Sequence, residues 1–200
     1  MKRLILVTAP PASGKSYVAR QLARAMNPVV YLDKDTLTIL SKQIFNVANE
    51  PYNRSSQFFH EHVRDYEYET TLALAKDALR YNNIVLVNAP FTREVRDPEY
   101  VQQLREQLAQ RHVALTIIWV VTDPEVCHQR MLKRNSERDT WKLNHWDEYV
   151  ARCDFSIPEG IEDPDDKRAF ILFQNSNDKE FKASLKETLN LLGKKRYERR

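Results

Sequence analysis

Five short apolar runs, separated by segments of helical periodicity, most constrain how this chain can fold. The runs are rich in valine, isoleucine and leucine and cover residues 3–8, 29–33, 83–90, 115–122 and 169–174. Continuous apolar runs of this length are typical of strands buried on both faces, as in a parallel sheet. Apolar residues recur at helical spacing over residues 15–26, 57–81, 99–111, 124–136 and 178–192. This alternation predicts an α/β fold, a three-layer sandwich in which helices cover both faces of a five-stranded parallel sheet.

The first run leads into the sequence APPASGKS, residues 9–16, and a helical pattern follows it. Strand, loop and helix in this order are the context of a phosphate-binding loop of the Walker A type, G-x-x-x-x-G-K-[ST]. Alanine replaces the first glycine and two prolines follow, but these changes fall at the entrance of the loop. The backbone donors expected to face phosphates are intact on Ala12, Ser13, Gly14, Lys15 and Ser16. We expect Lys15 to reach the β- and γ-phosphates of a nucleotide and the Ser16 hydroxyl to ligate Mg²⁺.

Two aspartates, Asp33 and Asp35, stand at the end of the second run, in VVYLDKDTL. Open parallel sheets bind ligands outside the carboxyl ends of their strands, where a carboxylate can accept the proton of an attacking hydroxyl or help to hold Mg²⁺. We expect one aspartate to cap the next helix and the other to act in catalysis. Asp35 is favoured as the general base, with Asp33 as the alternative base and as a metal ligand. The third run ends in Asn88 rather than in an acid, so metal binding depends on Ser16 and the aspartates.

Three arginines follow the fourth run at a spacing of four residues, Arg130, Arg134 and Arg138, and on a helix they share one face. A solvated charged face is one explanation of this spacing. The other is a lid over the nucleotide, spanning about residues 126–145, whose guanidinium groups neutralise a transferring phosphoryl group. We therefore expect at least one of Arg134 and Arg138 to contact a phosphate in catalysis, and Arg130 to belong to the nucleotide-binding residues. Glu137 and Asp139 are available to hold the lid open by pairing with its arginines when no nucleotide is bound.

Other polar residues are candidates for binding the adenine of the nucleotide and for binding the acceptor. Asn175 follows the fifth run, at a place where its amide can bind the edge of an adenine. The alternative is that this residue belongs to a plain turn. The segment of about residues 36–81 is long for a simple crossover and is predicted to form a helical cap. Within it, Arg54, His62 and Arg64 are candidates for the lining of an acceptor site.

The phosphate loop, the acidic end of the second run and the sequence RMLKRNSERD together resemble a group of P-loop kinases with an AAA-type ATP-binding domain. The group includes polynucleotide 5′-hydroxyl kinases, zeta-toxin-like kinases and chloramphenicol phosphotransferase. The segment from Lys133 to Arg138 is similar to the K-R-N-S-x-R lid of the polynucleotide kinases. The resemblance implies the P-loop NTPase fold with strand order 2-3-1-4-5, ATP and Mg²⁺ as cofactors, Arg134 and Arg138 on the ATP phosphates, and Asp35 as the base. The family often has arginine three residues after this aspartate, where this chain has Thr38.

The sequence thus predicts a single kinase domain, residues 1–200, that moves the γ-phosphate of ATP to a hydroxyl group. The acceptor is a small molecule, a nucleotide or a polynucleotide 5′ end. The alternative function is a nucleotide-binding NTPase or switch with slow hydrolysis. No apolar run approaches the ~20 residues of a membrane helix, and the two cysteines form no C-x-x-C pattern. We expect a cytoplasmic protein with reduced thiols and no membrane contact, while the oligomeric state is not indicated.

Overall fold

The computed structural model describes residues 2–136 and 139–193, and a five-stranded parallel sheet lies at its centre. The strands are β1 (Lys2–Thr8), β2 (Val30–Asp33), β3 (Ile84–Asn88), β4 (Val113–Val121) and β5 (Phe170–Gln174). Their order in the sheet is β2-β3-β1-β4-β5, and every neighbouring pair is parallel. The predicted fold class and strand order are confirmed.

Helices cover both faces of the sheet. Their bounds are α1 (Lys15–Ala25), α2 (Thr38–Val47), α3 (Gln57–His62), α4 (Arg64–Tyr81), α5 (Pro98–Ala109), α6 (Pro124–Arg134), α7 (Thr140–Asn144), α8 (Trp146–Arg152) and α9 (Asp178–Leu192). In the part of the chain that the structure describes, no helix combines the length and the apolar character needed to cross a membrane.

Alternate residues of the central strand β1 enter two different cores. Leu4 and Leu6 pack with α4 and α5, whereas Ile5 and Val7 pack with α1 and α9. All four side chains are at most 1% exposed. Because successive side chains of a strand point to opposite faces, a run without polar residues builds both layers at once. The three-layer arrangement therefore follows from the apolar runs.

The single helix predicted over residues 57–81 is wrong, because the chain breaks it at Val63. This residue leaves the helical region, with φ −129° and ψ −45°, and separates α3 from α4. Its side chain is 2% exposed and packs with Phe45 and Phe59 in a small third core. This small core thus joins Phe45 of α2 to Phe59 of α3 at the break.

The capping role near the end of β2 belongs to Asp33. Its Oδ1 accepts a hydrogen bond of 3.1 Å from the backbone N–H of Asp35 and caps a 3₁₀ turn over residues 34–37. That turn buries Lys34 and aims it at Glu67 of α4, 2.7 Å from Nζ to Oε2. The expectation that one aspartate of the pair caps is confirmed, and the capping aspartate is Asp33 rather than Asp35.

Candidate active site

The phosphate loop joins β1 to α1, and its glycine is fixed by both conformation and space. Gly14 has φ 80° and ψ 15°, in the left-handed region that favours glycine. A Cβ atom on Gly14 would lie 2.5 Å from the amide nitrogen of Asn175. No described side chain caps α1, so the N–H groups of Lys15 and Ser16 at its start remain available to an anion.

Three side chains hold the phosphate loop in place by donating hydrogen bonds to the backbone carbonyl oxygen of Ser13. The donors are Thr122 Oγ1 at 3.0 Å, Arg130 Nη1 at 3.2 Å and Asn175 Nδ2 at 2.7 Å. Arg130 also donates through Nη2 to the backbone oxygen of Asn175, at 2.7 Å. The loop after β5 and the helix α6 therefore both position the phosphate loop. Nucleotide contacts from Arg130 and Asn175 stay predictions, since both side chains here contact protein atoms.

Asn88 at the end of β3 connects the loop to the second strand. Its Oδ1 accepts from Lys15 Nζ at 2.5 Å, and its Nδ2 donates to Ser16 Oγ at 3.0 Å and to Asp33 Oδ2 at 2.8 Å. The side chain is 1% exposed. The third strand thus ends in the neutral amide of Asn88 instead of an acid, and this amide connects three predicted site residues by hydrogen bonds. An aspartate could not donate these two hydrogen bonds.

Burial lowers the pKa of Lys15 to about 8 in this environment. The nearby carboxylates of Asp35 and Asp33 act in the opposite direction and favour the charged ammonium. They do not offset the loss of hydration, because the side chain directly contacting Lys15 Nζ is the uncharged Asn88.

The two aspartates occupy different environments. Both oxygens of Asp33 accept hydrogen bonds, Oδ1 from the Asp35 N–H and Oδ2 from Asn88 and from the Tyr31 hydroxyl at 3.0 Å. The side chain of Asp35 is 64% exposed and lies 3.5 Å from Lys34 Nζ. Asp33 is therefore held as a fixed charge beside Ser16, and Asp35 is accessible to a substrate.

An oxygen donor set for Mg²⁺ exists at this edge. Ser16 Oγ and Asp33 Oδ2 contact the same nitrogen of Asn88, and hydroxyl and carboxylate oxygens are the hard ligands that Mg²⁺ prefers. Within the described residues, no group of three or more histidine, cysteine, aspartate or glutamate side chains is arranged to hold a metal. The ion would take its other ligands from nucleotide phosphates and water.

The lid arginine Arg134 ends α6 and pairs with Asp139. Its Nε lies 2.8 Å from Asp139 Oδ2, and its Nη2 donates to the same oxygen. Asp139 is fully buried, and its other oxygen lies 3.6 Å from Lys142 Nζ. Glu137 and Arg138 lie outside the described residues. Of the predicted lid arginines that the structure describes, Arg134 is thus bound to a carboxylate, whereas Arg130 contacts backbone oxygens.

The arginines predicted to line an acceptor site are engaged by buried acids. Arg54 donates to both oxygens of Glu67, at 3.0 and 2.6 Å, and Arg64 donates to both oxygens of Glu94, at 2.8 and 3.2 Å. His62 remains exposed. Sequence reasoning missed Glu67 and Glu94, because a single acid in a largely polar segment carries no local signal of burial.

Comparison with protein-family models decides the family. A model described as an AAA domain matches residues 4–155, about three quarters of the chain, and this range includes the phosphate loop, both aspartates and the lid arginines. The chain belongs to the AAA domain family. None of the curated proteins compared with it matches.

Several solved structures share the fold of this AAA domain. A gluconokinase from Sinorhizobium meliloti 1021 is 17% identical, with a TM-score of 0.52 over 96% of this chain and 95% of that chain. A sugar kinase from Janibacter sp. HTCC2649 is 14% identical, with a TM-score of 0.57 over 98% and 96%. Kti12 from Chaetomium thermophilum, in complex with ADP-AlF3, is 19% identical, with a TM-score of 0.57 over 95% and 99%. At these identities the likeness establishes the fold alone.

Proposed function

We propose that this AAA domain is an ATP-dependent phosphotransferase with a hydroxyl group as acceptor. The observation that carries the proposal is the Asn88 network, which brings Lys15, Ser16 and Asp33 together at the carboxyl edge of the sheet. Two proteins with the same fold are described as kinases, and a third is in complex with ADP-AlF3. Both facts support a nucleotide at the phosphate loop.

In the proposed reaction the acceptor oxygen forms a bond to the γ-phosphorus of ATP. The bond from that phosphorus to the bridging oxygen breaks, and ADP leaves with the electron pair. The hydroxyl proton passes to a carboxylate of the protein. Lys15 and the N-terminal N–H groups of α1 orient the phosphates and stabilise the charge that develops on them. Mg²⁺, held by Ser16 and Asp33, would supply further charge neutralisation.

Asp35 is our proposed proton acceptor, and Asp33 our proposed metal ligand. The hydrogen bonds to both oxygens of Asp33 hold its side chain in place, which suits a fixed ligand. Asp35 has an exposed carboxylate near the same edge. A general base must reach the proton that it removes, and Asp35 has the freedom to do so.

Arg134 is the proposed lid contact to the γ-phosphate. In this structure its guanidinium is bound to Asp139. A nucleotide phosphate offers the same bidentate geometry with more negative charge. We expect Arg134 to exchange Asp139 for the phosphate when the nucleotide binds, and Arg138 to add a second contact.

The test is transfer of label from γ-labelled ATP in a parallel screen of sugars, amino alcohols, nucleosides, antibiotics and 5′-hydroxyl oligonucleotides. The account expects a labelled phosphomonoester with one acceptor class, lost in Lys15→Ala and Asp35→Asn. Lys179→Ala on the exposed surface of α9 and Asp77→Asn on α4 are matched controls. Release of inorganic phosphate at a rate that no acceptor changes would instead support the slow NTPase or switch.

A further inference from the structure

A cavity of about 360 Å³ lies between α4 and α5, and the loop after β3 closes one side of it. Arg93 and Glu94 of that loop line the cavity, five and six residues beyond Asn88. On the α4 side, the ring of Tyr68 lies 5.4 Å from Nζ of Lys34, which directly follows Asp33. The cavity therefore adjoins the ends of β2 and β3, and its volume falls in the lower range of small-molecule sites.

Two tyrosine hydroxyls in this cavity form no hydrogen bond with any residue that the structure describes. Tyr68 is 9% exposed, lines the cavity and packs edge-on against Phe91, yet among the described residues its hydroxyl forms no hydrogen bond. Tyr100 on α5 also lines the cavity, and its hydroxyl is likewise unbonded within residues 2–136 and 139–193. Burial raises the pKa of Tyr68 and raises that of Tyr100 to about 12, so both stay protonated at neutral pH. Neither hydroxyl belongs to the buried polar atoms that lack a partner among the described residues, so both are accessible from the cavity and open to a hydrogen bond with a ligand.

The charges around the cavity leave an excess of carboxylates. Arg64 pairs with Glu94 and with Asp65, and Arg93 pairs with Asp65 at 2.7 Å, so the two arginines offset these two acids. Two further lining carboxylates, Glu69 and Asp97, form no ion pair with any described residue. One oxygen of Asp97 caps α5 by accepting from the N–H groups of Glu99 and Tyr100. Its other oxygen and the carboxylate of Glu69 can accept hydrogen bonds from a ligand.

We propose that this cavity binds the acceptor, and that the acceptor is a small polyhydroxyl compound carrying an amino group. The inference rests on the proposed phosphotransferase function. Hydroxyl groups of the ligand bond Tyr68 and Tyr100, while an ammonium group satisfies Glu69 and Asp97. Two carboxylates without a cationic partner repel phosphates, so the same cavity disfavours a polynucleotide end.

The test measures binding by calorimetry at pH 7, without ATP, using glucamine, sorbitol and gluconate. These six-carbon polyols differ in one terminal group: an ammonium, a hydroxyl or a carboxylate. The proposal expects glucamine to bind about tenfold more tightly than sorbitol, with gluconate weakest. No measurable binding of glucamine, or an order in which gluconate binds best, overturns it.

Conservative variants locate the binding. Tyr68→Phe and Glu69→Gln should each weaken glucamine binding about fivefold, and Glu69→Gln should not weaken sorbitol binding. Tyr66→Phe is the matched control, because this tyrosine is on the same helix and is 64% exposed outside the cavity. Equal affinities in Tyr68→Phe, Tyr66→Phe and the wild type would overturn the assignment.

A parallel assay with γ-labelled ATP separates the two proposals. If glucamine binding depends on Tyr68 and Glu69 but no acceptor in the screen is labelled, the phosphotransferase proposal fails and the cavity assignment stands. If a neutral polyol is labelled at a rate that Tyr68→Phe and Glu69→Gln leave unchanged, the cavity is not the acceptor site and the phosphotransferase proposal stands.

Discussion

The lowered pKa of Lys15 predicts that nucleotide binding weakens as the pH rises through about 8. In the free protein, the ammonium is buried against the neutral amide of Asn88. A bound nucleotide places several negative charges beside it, which favours the protonated form and returns the pKa toward or above its ordinary value. Binding should therefore take up a proton whenever the free lysine is deprotonated.

The size of the effect follows from the pKa of about 8. At pH 9 about nine tenths of the free protein would carry a neutral Lys15, against about one quarter at pH 7.5. The dissociation constant for ATP should rise about eightfold between these two values, which is about 1.3 kcal/mol. Proton uptake on binding should approach about 0.9 per nucleotide at pH 9.

Isothermal titration calorimetry in two buffers of different ionisation enthalpy measures this uptake. Lys15→Arg is the control, because a guanidinium stays charged at pH 9 and should take up no proton. An uptake near zero at pH 9 in the wild-type protein would refute the reasoning, as would an equal uptake in Lys15→Arg.

Three further substitutions test the loop, the Asn88 network and the lid. Gly14 and Gly193 both have a positive φ, of 80° and 84°, but an added Cβ atom would contact Asn175 only at Gly14. Gly14→Ala should therefore lower the melting temperature more than Gly193→Ala; equal shifts would contradict the close approach of Asn175 to Gly14. Asn88→Ala removes hydrogen bonds to Lys15, Ser16 and Asp33 and should lower kcat/KM for ATP by roughly 30- to 150-fold, measured by steady-state kinetics; an effect below threefold would remove Asn88 from the account. Asp139→Asn weakens the contact that holds Arg134 and should tighten ATP binding by about fivefold in a fluorescence titration; weaker binding would contradict the proposed exchange.

The sheet and the phosphate loop were predictable because their signals are local in the sequence. Each strand is a continuous apolar run, and the loop lies between a strand and a helix in eight consecutive residues. The break at Val63 was not predictable, since a single valine in a helical pattern has only a weak conformational preference. What fixes it there is burial with Phe45 and Phe59.

The pairings within the site depend on contacts between residues far apart in the chain. Asn88 lies 73 residues from Lys15 and 55 from Asp33, and only the strand order β2-β3-β1 brings them together. From the sequence, position 88 was notable only for lacking an acid. In the structure, the Asn88 amide forms three hydrogen bonds within the site. Likewise, the proposed distribution of roles between Asp33 and Asp35 depends on the turn after β2, which residue types alone do not specify.

The most direct test of phosphoryl transfer is phosphorus NMR of ATP, Mg²⁺ and the protein with each candidate acceptor. The account predicts a new phosphomonoester resonance that grows in step with ADP in the presence of one acceptor class and is absent with Lys15→Ala. Equal amounts of ADP and inorganic phosphate with every acceptor, or unchanged turnover in Lys15→Ala, would contradict it.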